Sequence, residues 1–273
     1  MSAKGRSEKG PKQDGHTLNV QLRTEKGPER DGLIVSDPSR VLALLWGDVP
    51  EGTRGPKRRV SLDQIVRAGL ELAREGGLEQ LSMRAVAKKL GVGAMTLYTH
   101  VPGKAELVEL MIDATFADRV PLDPDATWQD RIRAHANEVR RSYERDPWLL
   151  QTNLWRRPLG PHTVGAEERL LQTLLDAGLE PTDVVVNSDL IEAFVLGRTG
   201  GRIADEEETK RTGVSADQYW QQRSEFWETY FSWEDHPAMV RLWEAGAFDQ
   251  DVPHAFDRQL ERIISGIERQ VAG

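Results

Sequence analysis

Ser82-Met-Arg-Ala-Val-Ala-Lys-Lys-Leu-Gly-Val-Gly-Ala-Met-Thr-Leu-Tyr-Thr-His-Val-Pro-Gly-Lys104 is the stretch that decides the fold. It reads as a helix, a tight turn, a very short helix and the start of another. Ser82 is a good N-cap, because its hydroxyl accepts a hydrogen bond from a free amide of the first turn. Met83, Val86, Ala87 and Leu90 follow at i, i+3, i+4 and i+7 and make one buried stripe. Gly91 and Gly93, flanking Val92, tolerate the positive φ values that end a helix and turn the chain sharply. Leu97 and Val101 anchor the short second helix, whose outward positions are Ala94, Met95, Thr96, Tyr98 and His100. Small and hydroxyl-bearing side chains at the N-terminal end of a short helix suit close entry into a major groove. On spacing alone two readings stay open, a DNA-reading helix-turn-helix and a plain helical hairpin.

A more specific signal comes from three runs: Ser82 to Arg84, Ala87-Lys-Lys-Leu-Gly-Val92, and Thr96-Leu-Tyr-Thr-His-Val101 followed by Lys104. From about Ser61 to about Phe116 the chain resembles the DNA-binding domain of the tetracycline-repressor (TetR/AcrR) family. The resemblance implies an all-α protein, with an N-terminal three-helix helix-turn-helix domain and a C-terminal helical domain for ligand binding and dimerisation. It puts Arg84 and the segment Ala94 to Thr96 near base edges, and Tyr98, His100 and Lys104 on phosphates. Gly93, Thr99, Arg58 and Arg59 complete the expected DNA-binding set. Lys104 opens the next helix, and a helix N-terminus and a lysine both favour an anion. Ala94 and Met95 are weak hydrogen bonders, so base reading there is apolar, against thymine methyls for instance. Arg84 then carries more of the polar specificity.

The chain has 273 residues, no cysteine and a net charge of −8. Disulfides, thiolate zinc ligands and a cysteine nucleophile are thereby excluded. No 18-residue apolar run occurs and the N-terminus is polar, so the expectation is a soluble cytoplasmic protein with no membrane partner. The negative charge looks wrong for a DNA binder until it is divided. Residues 54–104 hold ten Lys or Arg against four acids, a balance of +6, which leaves −14 on the remainder. A basic module on an acidic body is the footprint of a localised DNA contact.

Four segments follow from composition, periodicity and that resemblance. Residues 1–36, rich in Gly, Lys, Glu, Arg and Asp, read as a disordered tail. Residues 37–60 read as an N-terminal arm. Within it Val41, Leu44, Leu45 and Trp46 supply a short amphipathic helix, and Thr53-Arg-Gly-Pro-Lys-Arg-Arg59 supplies a basic linker. The helix either docks on its own domain or touches DNA; the linker either lies along phosphates or a minor groove, or is simply solvated. Residues 61–119 form the helix-turn-helix domain and its connecting helix. A capping box at Ser61-Leu-Asp-Gln64 opens a helix to about Glu75, stopped by Gly76-Gly77, and Lys104 to about Arg119 leads out of the head.

Residues 120–273 form the last segment. Thr127 caps a helix bearing Trp128, Ile132, Ala136, Val139 and Tyr143, which ends near Asp146-Pro147; a proline-rich loop covers 152–162. Helices follow from about Gly165 to Ala177, from Pro181, from Ser215 carrying Tyr219, Trp220, Phe226, Trp227, Tyr230, Phe231 and Trp233, and from Pro253 to about Val271. The Pro181 helix is apolar nearly all round, which demands burial on two sides. Pro158-Leu-Gly160, Asp176-Ala-Gly178-Leu179 and Phe194-Val-Leu-Gly197 are similar to the C-terminal domain of many tetracycline-repressor-like regulators. That resemblance implies that the 181–200 and 253–271 helices make a four-helix dimer bundle, with reading heads roughly 34–36 Å apart on an approximately palindromic operator.

Seven of the eight tryptophans lie beyond residue 127. Aromatic residues at helical spacing fill cores, and they also line ligand pockets. The candidate pocket residues are Trp128, Trp148, Trp155, Asn187, Phe194, Trp220 and Trp227, with Asp189 as a further polar candidate. In the tetracycline repressors a magnesium-binding histidine precedes a Leu-Gly pair; Pro158 stands there in this chain, and His162 is displaced. Neither a metal site nor a cofactor is expected among six scattered histidines. No Gly-x-Ser-x-Gly, phosphate loop or His-Glu-x-x-His argues for an enzyme. The expected function is a homodimeric repressor released from double-stranded operator DNA by a small, largely apolar or aromatic effector. The alternative is a constitutive or architectural DNA binder whose C-terminal domain only dimerises.

Overall fold

The computed structural model describes residues 38–48, 60–117, 123, 125–248 and 255–272, and every regular element among them is helical. The tail 1–36 and the basic linker with Arg58 and Arg59 lie outside the described residues. The arm helix, α1 (Pro38–Leu45), buries Val41, Leu44 and Leu45 and packs on the connecting helix α5 (Lys104–Thr115). Of the two readings of this arm helix, it is therefore docked on its own chain.

The helix α2 (Leu62–Gln80) opens with the capping box read from sequence. Ser61 Oγ accepts from the Gln64 amide at 3.2 Å, and Gln64 Oε1 accepts from the Ser61 amide at 2.9 Å. Its helical geometry breaks at Gly76 and Gly77, where φ reaches +68°, and only a short turn continues to Gln80. The pair α3 (Met83–Leu90) and α4 (Ala94–Tyr98) closes the head. Ile65, Leu81, Val86, Leu97, Val101, Leu107 and Met111 form its core. The connecting helix stops at Thr115, short of Arg119.

The body begins with α6 (Trp128–Arg145), capped by Thr127 and buried along Ile132, Ala136, Val139 and Tyr143. A single 3-10 turn, Pro147–Gln151, precedes the loop. The next helix, α7 (Pro161–Asp176), starts four residues before the expected Gly165. The reason lies 49 residues away: Asp113 Oδ1, on α5, accepts from the His162 amide at 3.1 Å and the Thr163 amide at 2.8 Å. A remote carboxylate therefore caps the first turn, which local sequence cannot reveal.

Helix α8 (Pro181–Thr212) packs against α6, α7 and α12 (Ala255–Val271). It buries Val184, Asn187, Ser188, Ile191 and Val195, and leaves Val185, Val186 and Leu190 on the outside. Phe256, Leu260, Ile264 and Ile267 of α12 are buried in one stripe, each stabilising by roughly 1.5–3 kcal/mol. Between these helices the single helix expected from Ser215 through Trp233 is instead two short pieces, α9 (Ala216–Gln221) and α10 (Glu225–Thr229), and a further helix follows, α11 (Pro237–Glu244). None of them buries a residue, and their rings pack mainly on one another, with Trp227 5.1 Å from Phe231 and 5.7 Å from Trp243. Without a core to set a continuous stripe, the aromatic side chains collapse locally and the helix breaks. No described helix is long and apolar enough to cross a membrane.

Candidate nucleic-acid interface and ligand cleft

The head is built so that its short helix has one buried side and one bare side. Ser82 Oγ accepts from the Ala85 amide at 3.1 Å, which starts α3; Gly91 ends it at φ 67°, ψ 30°. Leu97 and Val101 are fully buried, so the five-residue α4 is pinned from below. What this leaves outward is Met95, 77% exposed, and Tyr98, 43% exposed, with Gly93 and Thr99 exposed and Ala94, Thr96 and His100 half-buried. Thr99 Oγ1 donates to the Thr96 carbonyl at 2.7 Å, which closes the last turn of α4. Arg84 is exposed in the first turn of the adjoining α3.

Lys104 sits at the first position of α5, and its ammonium donates to the Leu78 carbonyl at 2.6 Å. Lys104 is thereby brought to the corner between α2 and α3, beside the start of the reading pair. Lys89, in contrast, is engaged within the head. Its ammonium donates to Glu71 and Glu75, at 3.0 and 3.1 Å, which raises its pKa and holds its charge on α2.

The head is fastened to the body on the far side of α2. Asp146, fully buried, accepts from Arg74 Nε at 2.6 Å, from Arg145 Nε at 2.7 Å and from the Trp148 indole at 3.2 Å. Burial pushes its carboxyl up most strongly, but the hydrogen bonds from Arg74 and Arg145 outweigh that and leave it below the usual range. Gln151 adds a second fastening by accepting from the Leu78 amide at 2.9 Å.

The body holds a cleft of about 260 Å³ between the 154–159 loop, α7 and α8. Leu154, Trp155, Leu159 and Val164 give it an apolar face; Arg157, Ser188, Asp189 and Glu192 give it a polar one. Glu192 is largely buried, with one oxygen 2.8 Å from His135 Nε2 and the other accepting from Arg157 at 2.7 Å. Burial alone would raise the Glu192 carboxyl, but the His135 hydrogen bond and charge, with Arg157, hold it at about 2. The cleft floor is therefore a fixed ion pair beneath a partly apolar opening.

The candidate pocket residues separate into several groups. Trp155, 66% exposed, and Asp189 line this cleft. Trp148 lies in the core on Asp146, and Trp128 packs against the same core. Phe194 stacks on Phe256 at 4.9 Å between centroids, and Asn187 donates to the Asp183 carbonyl and to Gln270 Oε1 at 2.9 Å. Trp220 and Trp227 line a different cleft, of about 450 Å³, with Phe226 and Tyr230. Sequence reasoning passed over Arg157, His135 and Glu192. The available signal was Glu192 itself, a carboxylate inside an otherwise apolar helical run, which demands a buried cation.

Two families match the chain, described as "Bacterial regulatory proteins, tetR family" over residues 65–111 and "Tetracyclin repressor-like, C-terminal domain" over residues 120–271. The HTH-type transcriptional repressor DrrR1 of Streptomyces coeruleorubidus is 36% identical over 86% of this chain and 87% of its own length. The class C tetracycline repressor of Escherichia coli is 27% identical over 77% of this chain and 92% of its own. Among solved structures, Streptomyces coelicolor ActR in complex with actinorhodin superposes with a TM-score of 0.65 at 26% identity, over 76% of this chain and 95% of that one.

Proposed function

The chain belongs to the tetracycline-repressor family of DNA-binding transcriptional regulators, and from that premise we propose that it is a homodimeric repressor that leaves a palindromic operator when a small, largely apolar or aromatic ligand occupies the 154–192 cleft. The observation that carries the DNA-reading part is the bare outer side of α4, with Arg84 beside it and a buried Leu97 and Val101 beneath. A helix of five residues with so little charge gains nothing from exposure unless it enters a groove. Met95 makes apolar contact with bases, Arg84 supplies the polar reading, and Tyr98, Thr99, His100 and Lys104 meet phosphates. Lys104 changes partner on binding, from the Leu78 carbonyl to a phosphate oxygen.

The outer side of α8 supports the dimer. Val185 and Val186 are 57% and 59% exposed, outside the face that buries Val184, Ile191 and Val195. A second copy covers this stripe, and the self-packed aromatic segment 216–248 finds cover in the same assembly. The cleft supports the response: one of its walls, α7, is tied to the connecting helix through Asp113, and the 3-10 turn just before its loop is tied to α2 through Gln151. The ActR complex with actinorhodin is the family precedent for a bound small molecule.

The test is selection of binding sites from random duplex DNA by the purified full chain at a stated salt concentration. A two-fold symmetric consensus supports the reading. Binding that is salt-sensitive but independent of sequence overturns it in favour of an architectural protein.

A further inference from the structure

We propose that α1 and Trp46 form a strap that reads the state of the cleft and passes it to α5, a regulatory contact that rests on the ligand-responsive reading above. Trp46 Nε1 donates to the Leu159 carbonyl at 2.8 Å, across 113 residues of sequence. Leu159 lines the cleft and is 64% exposed, so the residue whose carbonyl holds the strap also meets an occupant. The same turn is tied to α5 by Asp113, through the His162 and Thr163 amides. It is stiffened from within, because the Thr163 hydroxyl accepts from the Gly160 amide at 3.1 Å and lies 2.7 Å from the Pro158 carbonyl. The third side is apolar, with Val41, Leu44 and Leu45 of α1 buried against α5.

These contacts close a triangle of α1, α5 and the 158–163 turn, and its sides are unequal. The Asp113 side holds two backbone amides on one oxygen of a buried carboxylate. The Trp46 side is one neutral hydrogen bond on a ring that is 57% exposed. When an occupant shifts Leu159, the Trp46 side opens first. With its C-terminal end released, α1 loosens on α5, the helix that leads out of the reading head. Trp46 is thus a positioning residue for the operator-bound state, acting through α5 without touching DNA.

The test uses the full chain and needs no knowledge of the natural ligand. Val164→Trp places a large ring in the cleft as a stand-in occupant, because Val164 lines it from α7 and is 39% exposed. Trp46→Phe removes the donor and keeps a ring. Each single variant is expected to weaken binding to the selected operator about two- to tenfold, the equivalent of one neutral hydrogen bond, and to lower the melting temperature by no more than a few degrees. The double variant is expected to be no weaker than the weaker single one. In hydrogen exchange, Val164→Trp is expected to speed exchange across residues 42–48. Operator binding by Trp46→Phe equal to the parent, or losses that add in the double variant, overturns the strap. Unchanged exchange at 42–48 overturns it too, and that arm reads out even if the protein selects no operator, which would instead overturn the functional reading.

Discussion

Gly160→Ala isolates the joint between the connecting helix and the body. A methyl group built on Gly160 lies 2.2 Å from Asp113 Oδ1, 2.3 Å from its Cγ and 2.8 Å from Oδ2. Gly160 has φ −88° and ψ 162°, which any residue adopts, so the penalty is steric alone. To reach ordinary contact at 3.4 Å, the carboxylate must retreat by about 1.2 Å. Asp113 is 4% exposed, and that retreat breaks its bonds to the His162 and Thr163 amides. Loss of the cap costs about 0.5–2 kcal/mol, and amides left unsatisfied in a buried joint cost about 1–3 kcal/mol more. The expected destabilisation is thus about 1.5–5 kcal/mol. It is measured by urea unfolding at fixed protein concentration, since subunit association shifts the midpoint. Asp113→Ala should lose a similar amount, and adding Gly160→Ala to it should cost little because the clash has gone. A Gly160→Ala protein within about 0.5 kcal/mol of the parent, or losses that add in the double variant, would refute the reasoning.

Three further outcomes are expected. Arg84→Ala should relax base preference at one position of the selected site, whereas Lys104→Ala should weaken binding to all duplexes and lower the salt slope by about one; anisotropy titrations at several salt concentrations separate the two. Glu192, held at about 2 against the 4.5 of a free carboxyl, contributes stability of about 3 kcal/mol. Because its folded pKa is depressed, that contribution is fully present above about pH 4.5 and is lost as pH falls toward 2. The parent should therefore lose more stability than Glu192→Gln over that interval in parallel urea titrations, and equal losses would contradict the assignment. Leu190→Arg puts a charge on the exposed stripe of α8 and should shift sedimentation from dimer to monomer while leaving the helical circular-dichroism signal in place.

The parts of the molecule that were legible in sequence are those whose cause is local. Ser61, Ser82 and Thr127 cap the helices that follow them because a hydroxyl reaches its own first turn, whatever the rest of the chain does. Gly76-Gly77 and Gly91 interrupt helices for equally local reasons. The early start of α7 was illegible because Asp113 supplies the cap from another helix. The 216–248 segment misled for the opposite reason: its aromatic residues match a helical stripe, but a stripe holds a helix together only when a second surface buries it. In the body, aromatic content pointed to six rings, with Asn187 beside them, yet the 154–159 cleft takes only Trp155 from that set. Large rings such as Trp148 fill the core wherever packing is tight, and composition carries no information about which side of a wall a ring faces.

Residues 146–163 contain one 3-10 turn and otherwise little regular structure until α7 begins, and that irregularity is what lets them join the halves of the molecule. Within a helix, backbone amides and carbonyls are consumed by the helix itself, so only side chains remain for remote partners. In this stretch the Leu159 carbonyl is free to take Trp46, and the first amides of α7 are free to take Asp113. Arg74 and the Leu78 amide reach the same stretch through Asp146 and Gln151. Arm helix, reading head and connecting helix are thus all held by one run of chain, and Leu154 to Leu159 in its middle form a wall of the cleft. An occupant of that cleft bears on the same backbone that positions the DNA-binding elements. On the proposed reading, coupling between ligand and operator needs no movement of the packed helices α6 and α8 against each other, only a change in how this run is seated.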